Sequence, residues 1–128
     1  MTASLAVQKA VVAALAGLDG LTGVFDGPPP DAAAPYAVIG PDLVADRSHK
    51  TGASHEVRLL VTLWDDRPGG ARLRSLQAAA VPALLALAGQ WDGRRIVLVR
   101  LLRAGVDGPD DDGWRPGRIE IAVLTETI

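Results

Sequence analysis

A chain of 128 residues fits one domain with room for a buried core, and is too short for two comfortable ones. Thirteen basic residues against fifteen acidic ones leave a formal charge of -2, which disfavours a primary role in nucleic-acid binding, where a concentrated basic field is the rule. The absence of cysteine excludes a disulfide framework, a thiolate metal site and a cysteine nucleophile, so nothing argues for an oxidising compartment.

Leu5, Gln8, Val11 or Val12, Leu15 and Leu18 recur at steps of three and four. That spacing predicts an amphipathic helix over about residues 3 to 17, capped by Ser4 or Thr2 and ended by Gly17 and Gly20. Its apolar stretch from Ala10 to Leu18 has only Lys9 ahead of it as a side-chain cation, and no run reaches the roughly 18 to 20 apolar residues that cross a bilayer. A soluble protein with no membrane partner is expected. Residues 20–34 turn to Gly, Pro and Asp with Val24 and Phe25 as the one apolar pair, and three consecutive prolines at 28, 29 and 30 fit neither a helix nor a central strand. A stiff, extended connector follows.

Tyr36 to Ile39 reads as a short first strand between Pro35 and Gly40-Pro41. Residues 42–54 are dominated by polar and charged side chains with a glycine at 52, which predicts a long exposed loop or a flexible hairpin arm. From His55 to Trp64, Val57, Leu59, Val61 and Leu63 alternate with Arg58, Leu60, Thr62 and Trp64, the period of two that marks a strand. Asp65 to Gly70 breaks it. A second helix then carries Leu73, Leu76, Ala80, Leu84 and Leu87 on one stripe, with Pro82 expected to kink or interrupt it.

Gln90 to Gly93 reads as a turn into a strand from about Arg94 to Ala104, where Val97, Val99 and Leu101 alternate with Ile96, Leu98, Arg100 and Leu102. Residues 105–117 form a second polar loop, and Arg118 to Thr127 the last strand, with Ile119, Ile121 and Val123 set against Glu120, Ala122 and Leu124. The expected fold is therefore α+β in the order α-β-β-α-β-β: a mostly antiparallel four-stranded sheet with two helices packed on one face, as one domain over residues 1–128.

Catalytic and metal chemistry find little support. Asp110, Asp111 and Asp112 suggest a calcium loop, but with Gly113 at its sixth position the first position is Gly108 and the twelfth Ile119, so a solvated hairpin tip is the better reading. His49 and His55, beside Asp46 and Glu56, have no recognised ligand spacing and read as surface residues. Ser48, Ser54 and Ser75 lack a nucleophile-elbow context, and Gly69-Gly70 lacks the lysine and hydroxyl of a phosphate loop. No catalytic residue, metal site or cofactor is assigned. The set Arg94, Arg95, Arg100 and Arg103 has no aromatic interleaving and reads as a polar strand face rather than a phosphate track. More informative are Leu60, Trp64, Ile96, Leu98 and Leu102, which load the second sheet face with more apolar surface than water favours; its own loops or another subunit would cover it.

The opening Leu5-Ala6-Val7-Gln8-Lys9-Ala10-Val11, the segment from Ala34 to Gly40, Lys50-Thr51-Gly52, the strand ending Val61-Thr62-Leu63-Trp64, the alanine-rich second helix and the final two strands together resemble the tail terminators, or tail completion proteins, of long-tailed phages and gene transfer agents. Pro82 and the triple proline are departures that leave the matching segments in place. The resemblance implies a structural protein without catalysis, made in the host cytoplasm and carried at the head-tail junction of the particle. It implies a homohexameric ring on the head-proximal end of the tail tube, with the major tail tube protein and a head-side connector or stopper as partners and DNA only passing through the lumen. The arm at 42–54 and the loop at 105–117 are then the expected contacts, with Arg47, His49, Lys50, Thr51, Trp64, Arg100, Asp110 and Trp114 as candidate interface residues. Another neck component is the alternative; a small enzyme is a third reading and would need a pocket where a histidine meets acidic residues.

Overall fold

The structure, a computed structural model, describes residues 2–27, 31–50, 52–91 and 93–127. In chain order the elements are α1 (Ala3–Ala16), β1 (Val24–Asp26), β2 (Tyr36–Asp46), β3 (Ser54–Asp65), α2 (Ala71–Leu85), β4 (Gly89–Trp91), β5 (Arg94–Val106) and β6 (Arg115–Thr127). Thr2 starts α1: its Oγ1 accepts from the Leu5 amide at 3.1 Å, whereas Ser4 donates instead to the Asp42 carboxylate on β2.

The expected four-stranded antiparallel sheet is corrected to a mixed, six-stranded sheet in the order β1-β2-β3-β6-β5-β4, curled as half a barrel. The two added strands have three residues each and sit at the edges. β1 pairs in parallel with β2 over Ala37 to Ile39, and β4 pairs antiparallel with β5 over Arg94 to Ile96. Residues 24–26 are thus a strand rather than connector; the triple proline lies outside the described residues. Runs of three residues carry too few alternations for a period of two to show in sequence.

The long strands exceed their expected lengths. β2 continues through Gly40 and Pro41 to Asp46 because a register shift between Ile39 and Asp42 absorbs the interruption, with Gly40 at φ 111°, a conformation that favours glycine. The core lies between the sheet and both helices. Val57, Leu59, Val61 and Leu63 of β3 and Ile119, Ile121 and Val123 of β6 are buried against Val7, Val11 and Leu15 of α1 and Leu73, Ala80 and Leu84 of α2. Gly117 gives α2 its close approach to β6, since a Cβ there would stand 3.2 Å from Leu73. α2 runs through Pro82 without interruption to Leu85.

β5 departs from strict alternation. Register shifts between Ile96 and Leu98 and between Leu101 and Arg103 turn Ile96, Val99 and Leu101 into the rows of Thr125, Val123 and Ile121. Ile96 is therefore buried in the core, and not on the second face where alternation put it.

Candidate assembly interface

The candidate residues separate into two groups at opposite ends of the sheet, with Arg100 between them. At one end, Arg47, His49 and Lys50 are exposed in the turn joining β2 to β3; Thr51 lies outside the described residues. The turn is ordered by local bonds. His49 and Gly52 exchange backbone hydrogen bonds of 3.0 and 3.2 Å, the Arg47 amide donates to the Ser54 carbonyl at 2.7 Å, and the Ser48 amide donates to Asp46 Oδ1 at 2.8 Å. Hydrogen bonds from Ser48 hold the Asp46 carboxyl below the usual carboxylate range. Beside the turn, Arg94 Nη1 lies 3.0 Å from His55 Nδ1.

At the other end, Trp64 stands opposite Tyr36 in the β2–β3 ladder and opposite Pro116 in the β3–β6 ladder. Tyr36 meets Phe25 edge-on at 6.0 Å between ring centroids and Trp114 at 5.5 Å. Four of the chain's five aromatic residues, Phe25, Tyr36, Trp64 and Trp114, thus come to one end, although they are scattered over ninety positions of sequence. Asp110 organises the loop beside them: Oδ1 accepts from the Asp112 and Trp114 amides, each at 2.9 Å, while its own amide donates to the Trp114 carbonyl at 2.7 Å. Burial, with the Asp110 charge adding to it, raises the Tyr36 hydroxyl above its ordinary value. Phe25 and Tyr36 were absent from the candidate set, because pairing across the sheet is what assembles the cluster.

Between the two ends, the face of the sheet away from the helices is a lattice of charge and leucine. Glu56 faces Arg58 Nε at 3.2 Å and Arg100 Nη2 at 3.6 Å; Arg103 Nε donates to Glu120 Oε2 at 2.9 Å. Arg95 pairs with Glu126, and Arg118 with Asp107. Leu43, Leu60 and the Arg103–Glu120 pair line a shallow depression of about 420 Å³. Its openness to solvent and its ion-paired lining suit a broad contact rather than the capture of a small molecule. Among the described residues, no group of three or more His, Cys, Asp or Glu side chains is placed to hold a metal ion, and no helix is long and apolar enough to cross a membrane.

Solved structures resemble the chain over nearly its whole length. A chain of the virion of a native gene transfer agent particle matches at 29% identity with a TM-score of 0.76, covering 97% of this chain and 94% of that one. The gp17 protein of bacteriophage SPP1 has the same fold, with a TM-score of 0.63 at 22% identity, covering 98% and 91%. No curated protein sequence matches. The model of the tail completion protein gp17 family matches residues 1–126. The ordered segments from the first helix to the last strand pointed to that family, and the chain belongs to it: it is a member of the tail completion protein gp17 family, a structural protein of the phage-type tail.

Proposed function

We propose that the chain is a tail terminator: a ring of subunits that sits on the head-proximal end of the tail tube, stops its growth and presents a surface to the head-side connector. The observation that carries this reading is the whole-length match to a chain of a gene transfer agent virion, 29% identical over 97% of this chain. The two separated groups of candidate residues support it. Arg47, His49 and Lys50 project from one end of the sheet, and Trp64, Asp110 and Trp114 gather at the other. A ring whose strands run along its axis would offer one end to the tube and the other to the neck. The ring closes by head-to-tail contacts, the particle carries it at the head-tail junction, and recognition without catalysis is its whole task.

Electron microscopy of particles made without the gene tests this, with tube length and head attachment scored separately. Overlong tubes beside unattached filled heads are expected. Tubes of normal length that lack heads would move the assignment to another neck component, and normal particles would overturn a role in tail assembly.

A further inference from the structure

The sheet is left open along both sides. β1 covers β2 only at Ala37 to Ile39, and β4 covers β5 only at Arg94 to Ile96, so among the described residues no strand pairs with the outer edge of β2 from Asp42 to Asp46 or of β5 from Val97 onward. Exposed main-chain edges template pairing with another chain unless they are guarded. Pro41 withholds one donor where the β2 edge opens, and the five residues after it carry no such guard.

Apolar exposure collects on these same two edges. Of the seven large hydrophobic residues exposed among the described residues, Leu43 and Val44 lie on the β2 edge and Val97, Leu98 and Leu101 on the β5 edge, with Leu43 68% and Leu98 51% exposed. Leu5 adds to the first, lining the groove between α1 and Asp42. The charges are opposite. β2 holds Asp42 and Asp46 and no cation, while residues 97–106 of β5 hold Arg100 and Arg103 and no anion. These arginine side chains stay 54% and 80% exposed despite their intrachain glutamates.

The registers place both edges at one level. Ala45, Glu56, Leu124 and Leu98 form one row across the sheet, Val44, Val57, Val123 and Val99 the next, and Leu43, Arg58, Ala122 and Arg100 the third. β2 and β5 also run in opposite directions, since three antiparallel steps separate them. A second copy rotated about an axis along the strands therefore brings its β5 beside β2, antiparallel and level, with Leu98 against Ala45, Val99 against Val44 and Arg100 against Leu43. An isologous contact would instead join two acidic edges or two basic ones.

We infer that the occupant of each edge is the opposite edge of a second copy of this chain, so that successive subunits join by β-strand addition of residues 97–101 to residues 42–46. This rests on the ring proposed above and names the contact that closes it. The chain lacks cysteine, so cross-linking reads the contact directly. Ala45→Cys combined with Leu98→Cys, two residues of one row, should give under mild oxidation a ladder of covalent oligomers ending in a closed species without free thiol. Each single variant should give at least tenfold less cross-linked product. Leu43→Cys with Arg100→Cys, two residues of the third row already open to water, serves if circular dichroism shows the first pair misfolded.

Dimers from a single variant would establish an isologous contact and overturn the inference. No ladder, in free protein and in particles whose tubes have normal length, would overturn the interface while leaving tail termination standing. Closed covalent rings from a gene whose deletion leaves tails unchanged would support the interface and overturn the function.

Discussion

Asp65 is the residue on which the strand-to-helix connection turns. It closes β3, its side chain is fully buried, and Arg72 from the first turn of α2 grips it with two donors, Nε at 3.0 Å on one oxygen and Nη2 on the other, while the Asp66 amide adds 2.9 Å. The hydrogen bonds from Arg72 outweigh desolvation and hold the carboxyl below its ordinary value; Arg72 is correspondingly raised. A lowered folded value means that this carboxylate stabilises the fold above about pH 3.9, its unfolded value, and that the contribution fades as pH falls through the lowered folded one. Asp65→Asn is therefore expected to lose about 3 kcal/mol at pH 7, the low end for a broken buried pair because Arg72 retains contact with water. Urea unfolding should show the deficit shrinking toward pH 2; a deficit constant with pH would assign the loss to packing instead. In the sequence Asp65 was legible only as a strand breaker, since nothing local shows that its carboxylate turns inward.

At the scale of elements, legibility followed length. The helices and the four long strands each carry enough periodic positions to declare themselves, whereas β1 and β4 do not. In the arm, β2 pairs with β3 as far as Asp46, and the strand persists through Gly40 and Pro41 because a bulge lets β2 bend and stay paired. Pro82 does not interrupt α2 because it stands near the end of that helix, four positions from its last residue inclusive, where the helix loses one bond and has little left to disrupt. What remains loop among the described residues of the arm is 47–50, 52 and 53, tied to the domain mainly at Ser54 and by the Thr127 amide on the Ala53 carbonyl at 3.1 Å. Replacing residues 48–53 by Asn-Gly, the preferred two-residue hairpin turn, keeps the Asp46–His55 register and should hence shift unfolding free energy by no more than about 1 kcal/mol. The same variant should lose at least tenfold in binding to purified tail tubes, measured by sedimentation. Unchanged binding would remove His49 and Lys50 from the tube contact and leave the aromatic end as the surface that caps it.

For the whole molecule, the family was legible because it depends on the order of matching segments, which sequence preserves; the sheet's two open sides were not, because an edge is defined by the strand that fails to cover it. Leu98 was rightly singled out as apolar surface in want of a cover, while Ile96 entered that set by an alternation which the β5 bulges break. The net charge of -2 hides a division with consequences for assembly. The bare part of β5 is basic and β2 is acidic, so the two edges attract one another between copies. Exposed charges steer encounter more than they strengthen the final contact, and salt at about 0.1 M already screens them beyond roughly 10 Å. Self-association should then slow on raising salt from about 50 to 500 mM, by about tenfold in rate, while dissociation changes far less because strand pairing and leucine burial hold the finished contact. Arg100→Glu with Arg103→Glu should slow association at low salt and flatten its salt dependence. Stopped-flow light scattering of both proteins checks this; an association rate that rises with salt in the native chain would mean that the apolar residues, and not the opposed charges, bring the edges together.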